Sequence, residues 1–268
     1  MKIVSVVGAR PNFMKIAPFM REVINYNDKG NDKIEHLLVH TGQHYDDRMS
    51  KSFFTALSIP EADINLGIGS GSHAQQVGNT MIAFEKVLLD EKPDWVVVLG
   101  DVNATLACSV TAKKLHIKVC HIEAGLRSGD ETMPEEINRL VTDRLSDLLL
   151  TPDKLSIENL KKEGIQDSKI KFVGNIMIDT LESNRDQAAN MEIYKIIEDN
   201  LIDGQTTNNG HPELVEWRRT INNKYALMTM HRPSNVDKKE ILEPIIRFLL
   251  DEVTNDMCIY WPVHPRTQ

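Results

Sequence analysis

An α/β protein built on doubly wound parallel sheets is what this sequence predicts, arranged as two domains of which the second is incomplete. Three observations lead there. Apolar runs of strand length alternate with helix-length amphipathic segments, the pattern of a parallel sheet with helices between its strands. Residues 95–99 are apolar without interruption, as in a strand covered on both faces. Polar or glycine residues follow the strand-like runs one after another, as at the ligand-binding edge of an open α/β sheet.

Residues 3–7 form a first buried strand, closed by Gly8. Pro11 suits the first turn of the helix that follows. Met14, Ile16, Ala17, Phe19 and Met20 give that helix an apolar side, and residues 26–33 read as a polar loop. Residues 37–39 form a second strand that ends in His40-Thr41-Gly42-Gln43-His44. A helix with Met49, Phe53, Phe54 and Leu57 on its apolar face is expected next. Gly67, Gly69 and Gly71 make a flexible link into a helix over residues 73–91, whose apolar positions are Val77, Met81, Phe84, Val87 and Leu88. The 95–99 strand ends in Gly100-Asp101, and a helix spans 105–115. Residues 117–122 form the next strand. It opens the stretch around which the chain is organised, His121 to Arg139.

Beyond that stretch, Ile137, Leu140, Val141, Leu145 and Leu148 recur at helical spacing. A strand at 148–150, a helix ending at Gly164 and a strand ending near 171–174 complete the first domain, residues 1–172. The second domain, residues 173–268, holds a loop at 202–212, strands at 225–230 and 258–263 and a helix at 241–253. Two or three strands cannot make a self-sufficient doubly wound domain, so this part is expected to be less stable, with strand edges and apolar surface left bare. It either borrows a partner chain, as in a homodimer, or is ordered only in a crystal.

The 268 residues carry a net charge of −8, which argues against non-specific nucleic-acid binding. An anionic ligand would need local Arg and Lys clusters. The three cysteines, Cys108, Cys120 and Cys258, have neither disulfide nor metal spacing and read as buried thiols. No apolar run reaches signal-peptide or transmembrane length, so a cytoplasmic protein without membrane association is expected. A Walker-type loop and the Gly-x-Gly-x-x-Gly fingerprint after the first strand are missing, and no metal site is expected.

The chemistry-bearing residues follow the strands. Arg10 follows the first, Gln43 and His44 the second, then Asp101, then Glu123; in the second domain His231 and His264 follow strands. Ligands in open α/β sheets bind outside those strand ends, so these groups describe a cleft between two facing sheets. Lys15 reads equally as an anion-binding group beside a helix N-terminus or as part of a solvated helix face. Glu135 follows Thr132 by three residues and so matches a capping box as well as a catalytic carboxylate. Glu123, after a buried strand and before Ala-Gly, has no such bland account. His231 with Arg232 suits a pyrophosphate, whereas His36 and His116 read as surface or packing residues.

The 121–139 stretch, His-Ile-Glu-Ala-Gly-Leu-Arg-Ser-Gly-Asp-Glu-Thr-Met-Pro-Glu-Glu-Ile-Asn-Arg, resembles the signature loop of the non-hydrolysing UDP-N-acetylglucosamine 2-epimerases. Gly8-Ala9-Arg10-Pro11, Gly100-Asp101 and His231-Arg232 are similar to that family's other motifs in order and spacing, over the whole chain. The resemblance implies the GT-B type of fold and the interconversion of UDP-N-acetylglucosamine and UDP-N-acetylmannosamine, for cell-surface polysaccharide precursors. In that family UDP is eliminated across C1 and C2 and then added back. That route needs a base, an acid and cations for the pyrophosphate, and no cofactor. It implies Asp101, Glu123, Glu135 and His231 as catalytic residues, and Arg10, Lys15, Gln43, His44 and Arg139 as substrate-binding ones. Gln43 and His44 also match part of a region where a second substrate molecule activates some bacterial members.

The family continues past the position of Gln268 with a glycine-containing acidic stretch that binds uridine and phosphates, so this chain is expected to be a weak or inactive epimerase. Alternatives are an epimerase of a related UDP-sugar such as a diacetamido uronic acid, a hydrolysing UDP-N-acetylglucosamine 2-epimerase, a glycosyltransferase of the same fold, or a non-catalytic binding module.

Overall fold

The computed structural model describes residues 1–30, 32–42, 61–192, 225–230, 233–255 and 257–263. By its internal contacts the chain divides into two compact units, Met1–Met191 and Glu192–Gln268.

The first unit is a seven-stranded sheet in which every pairing is parallel. In chain order its elements are β1 (Lys2–Val7), α1 (Arg10–Asp28), β2 (Glu35–His40), β3 (Ile64–Asn65), α2 (His73–Glu91), β4 (Trp95–Leu99), α3 (Asn103–Lys114), β5 (Lys118–Ile122), α4 (Pro134–Leu145), β6 (Leu148–Thr151), α5 (Lys154–Lys162), β7 (Ile170–Phe172) and α6 (Ile176–Ala189). The strand order is β3-β2-β1-β4-β5-β6-β7. The chain winds outward from β1 in one direction and then, from β4, in the other. The switch point therefore lies between β1 and β4, where Ser5 sits opposite Val97. In such sheets the crevice for a ligand opens at the carboxyl ends of those two strands.

Alternation of side chains along each strand builds two cores, one on each face. Ile3, Val7, Leu38, Val97, Leu99 and Ile122 pack with Phe13, Ile16 and Met20 of α1. Val4, Val6, Val39, Val96, Val98 and Val119 pack with Phe84 and Leu88 of α2 and with Cys108 and Ala112 of α3. Burial on both faces is why the strands are continuously apolar. Cys108 and Cys120 are free and buried in these layers, and burial pushes the Cys120 thiol up to about 12.

Several expected boundaries move. The polar loop expected at 26–33 begins only after Asp28, because α1 runs further. The short strand β3 and the helix α6 were not expected. Helix α1 contains Pro18, which has no N–H to offer the carbonyl of Met14. The Thr180 hydroxyl of α6 donates to that carbonyl at 2.5 Å, and Arg21 reaches Ser183 at 3.1 Å. Through these bonds α6 belongs with the first unit, whereas a boundary at 172/173 assigns it to the second.

Helix α4 differs most from its expected face. Ile137, counted as part of an apolar stripe, is 51% exposed, while Glu136, Asn138, Thr142 and Asp143 are buried. Leu148 lies in β6 rather than on the helix. The inward side of α4 is polar because it faces loops whose amides need acceptors.

In the second unit, β8 (Tyr225–Leu227) and β9 (Cys258–Tyr260) pair in parallel, joined through α7 (Pro233–Val236) and α8 (Lys239–Phe248). Both strands are shorter than the runs expected at 225–230 and 258–263. Leu227, Phe248 and Leu250 are exposed. The helix expected near Met49 to Leu57 and the loop at 202–212 lie outside the described residues. Among the described residues, no helix is long and apolar enough to cross a membrane.

Candidate functional site

The site is assembled at the switch point. Asn12 in the first turn of α1 is buried. Its Oδ1 accepts the Gly8 and Ala9 amides, both at 3.1 Å, and its Nδ2 donates to the Leu99 carbonyl at 3.1 Å. One side chain thus ties the end of β1 to the end of β4. The backbone of Arg10 opens α1, and its side chain lies outside what is described.

Glu123 follows β5 directly and has a φ of 75°, a left-handed conformation that a glutamate rarely adopts and that costs about 1–2 kcal/mol. Its carboxylate is ion-paired with Lys15 of α1, and both side chains are largely buried, at 17% and 12% exposure. Lys15 is therefore not part of a solvated helix face. Gly100, with a φ of 63°, lies beside this pair; a Cβ there would stand 3.0 Å from the lysine nitrogen and 3.4 Å from the Glu123 carboxylate. Glycine lets the β4 loop approach the pair.

Asp101 comes next in that loop. Arg139 of α4 donates to its Oδ2 from Nε at 3.0 Å and from Nη2 at 2.5 Å. Asn138 donates to the Asp101 carbonyl at 2.8 Å. The third Arg139 nitrogen donates to Glu136 at 2.9 Å. Burial works against the Arg139 charge, but Asp101 and Glu136 outweigh it and hold the guanidinium above its ordinary value. Asp101 and Glu123 are thus each held by a separate cation.

Glu135 itself is exposed and makes no hydrogen bond or ion pair among the described residues. Its capping-box reading fails: α4 starts at Pro134 with Met133 as its cap, and the Thr132 hydroxyl donates to Asp130 at 2.6 Å instead. The neighbouring Glu136, which the sequence reading passed over, is 3% exposed and accepts the Ser128 and Gly129 amides at 3.0 and 3.1 Å. Burial pushes its carboxyl up, but the two amides and Arg139 prevail and hold it below the usual carboxylate range.

Asp143 and Arg127 were also missed. Arg127 grips Glu163 with two parallel bonds of 2.7 Å and reaches Asp143 at 2.8 Å. The signal was present in the sequence: Glu136, Arg139 and Asp143 stand at i, i+3 and i+7, a polar stripe at helical spacing. Of the remaining expected site residues, Gln43, His44, His231 and His264 lie outside the described residues.

A family model described as UDP-N-acetylglucosamine 2-epimerase matches residues 28–268. A Methanococcus maripaludis protein called a UDP-N-acetylglucosamine 2-epimerase homolog is 44% identical over all of this chain and 67% of its own length. The Pseudomonas aeruginosa UDP-2,3-diacetamido-2,3-dideoxy-D-glucuronate 2-epimerase is 38% identical, with 68% of its length covered. The crystal structure of the Methanocaldococcus jannaschii UDP-GlcNAc 2-epimerase, in complex with UDP-GlcNAc and UDP, is similar with a TM-score of 0.78 at 39% identity; the match covers this whole chain and 67% of that one. The chain thus spans about two-thirds of the length of these relatives. On the family match and these identities, the chain belongs to the UDP-N-acetylglucosamine 2-epimerase family.

Proposed function

We propose that this chain is a non-hydrolysing UDP-N-acetylglucosamine 2-epimerase, interconverting UDP-GlcNAc and UDP-ManNAc. The observation that supports this best is the pair of separately neutralised carboxylates, Glu123 with Lys15 and Asp101 with Arg139, at the switch point of a fold whose M. jannaschii relative binds UDP-GlcNAc and UDP.

In the reaction a base removes the proton at C2. The C2–H electron pair forms the C1=C2 double bond, and the C1–O pair leaves with UDP. Protonation of C2 on the opposite face and return of the UDP oxygen to C1 complete the epimerisation with no net oxidation or reduction. Asp101, Glu123 and Glu135 are the residues assigned to the proton transfers. Lys15 and Arg10 neutralise the departing pyrophosphate near the start of α1, at the positive end of that helix's dipole. His231 is the further catalytic residue of this proposal, and Gln43, His44 and Arg139 complete the substrate contacts. The first domain supplies the carboxylates, and the second is assigned to the nucleotide.

Incubation with UDP-GlcNAc in D₂O tests this reading. Deuterium at C2 of both sugar nucleotides is the expected result. Free N-acetylmannosamine with UDP would identify the hydrolysing reaction instead. A second substrate is favoured by one observation: the diacetamido-glucuronate epimerase is as similar as the M. jannaschii enzyme, at 38% against 39%. The same incubation with UDP-2,3-diacetamido-2,3-dideoxyglucuronate decides between them by relative kcat/KM.

A further inference from the structure

Beneath the loops that carry Asp101 and Glu123 lies a buried link that the proposed chemistry leaves unused. His121, in β5, is 1% exposed, and both ring nitrogens are engaged: Nδ1 with Asp143 Oδ1 at 2.6 Å, Nε2 with the Gly100 carbonyl at 2.8 Å. Asp143 is fully buried, and its other oxygen accepts the Gly125 amide at 3.0 Å and Arg127 Nη1 at 2.8 Å. Burial disfavours the Asp143 charge, but His121 and Arg127 outweigh it and hold the carboxyl below its usual range. A carbonyl and a carboxylate can only accept, so in this arrangement the ring donates from both nitrogens.

The two ends of the link are backbone groups of the reaction loops. Gly100 immediately precedes Asp101, and Gly125 lies two residues after Glu123. Both glycines have positive φ, 63° and 83°, and a Cβ at Gly125 would collide with the Ser156 carbonyl. Neither loop is part of a sheet or helix at these points.

We propose that His121 and Asp143 are positioning residues, holding the Asp101-bearing and Glu123-bearing loops in one fixed relation through Gly100 and Gly125. An ordinary buried ion pair would satisfy itself; this one spends both outer bonds on the loops whose side chains must face one sugar. Misplacing reacting groups by about 1 Å can cost about a hundredfold in rate, which is the scale such a link protects.

The proposal rests on the epimerase reading only for the reaction assayed. In His121→Asn the amide reaches the place of Nδ1 and keeps the Asp143 bond; in His121→Gln it reaches the place of Nε2 and keeps the Gly100 bond. In whichever variants remain folded by circular dichroism, kcat on UDP-GlcNAc should fall at least about tenfold while KM stays within about twofold. Turnover within twofold of the parent in a folded variant would overturn the proposal.

A measurement on the unaltered chain needs neither variants nor a substrate. Nitrogen-15 spectra of the His121 ring should show both nitrogens hydrogen-bonded, with slow exchange of the Gly125 amide. A bare ring nitrogen or a rapidly exchanging Gly125 amide overturns the link. If the parent fails to turn over UDP-GlcNAc, the ring spectrum still decides the positioning.

Discussion

At the scale of the residue, Glu123 makes the strongest claim to chemistry. It holds a strained backbone conformation and a buried lysine partner at the switch point of the sheet. Strain of this kind persists where the surroundings over-determine it, and it gathers at working sites. Glu123→Gln should lower kcat by about 10²–10⁴, the range of a lost proton-transfer group, with an unchanged melting temperature. Near-normal turnover would remove Glu123 from the mechanism. For Glu135→Gln the same split is cleaner than the sequence suggested, because no cap depends on that side chain. Glu136 should behave oppositely, as a structural carboxylate. Its folded carboxyl is depressed, so its stabilisation is present above the ordinary carboxylate value of about 4 and is lost as pH falls through the folded value. Glu136→Gln should cost about 2 kcal/mol near neutral pH, since one of the Ser128 and Gly129 amides then faces a donor. Urea midpoints of parent and variant should converge as pH drops below about 4. A constant gap down to pH 3 would contradict the assignment.

At the scale of the element, α1 and α6 are joined by a defect and its remedy. Pro18 leaves the Met14 carbonyl without its helical donor, and the Thr180 hydroxyl replaces it. Thr180→Val should therefore cost about 1–3 kcal/mol, the penalty of a buried acceptor left bare. In a Pro18→Ala background the restored N–H can serve the carbonyl, so the same change should cost much less. Denaturant unfolding of the four proteins measures the coupling; additive effects would show that the two residues do not share that acceptor. Helix α4 gives the second lesson. Its buried stripe is polar, so it docks by supplying acceptors to loops rather than methyl groups to a core.

At the scale of the whole molecule, the first unit should fold without the second. A fragment of residues 1–191 should unfold cooperatively with the stability that the first unit has in the full chain, whereas a fragment ending at 172 should be weaker, having lost α6 and the cover of the Met14 carbonyl. Calorimetry of the two fragments checks this, and equal melting temperatures would favour the earlier boundary. The second unit, with exposed apolar residues on β8 and α8, should melt first in the intact chain.

The sequence by itself determined the α/β class, the parallel strands of the first unit and the family, because continuous apolar runs and glycine-bearing strand ends are local signals that burial and backbone geometry impose. It also placed Asp101 and Glu123 at the correct sheet edge. Only the tertiary structure decided which carboxylates are paired and which are free. Glu135 and Glu136 are neighbours with the same chemistry, and nothing local separates them; a rotation of about 100° along the helix leaves one exposed and turns the other onto the Ser128 and Gly129 amides. The His121–Asp143–Arg127 chain was hidden for the same reason. Its partners meet only when β5, the loop after it and α4 pack together, where a low-dielectric interior makes every unpaired polar group costly.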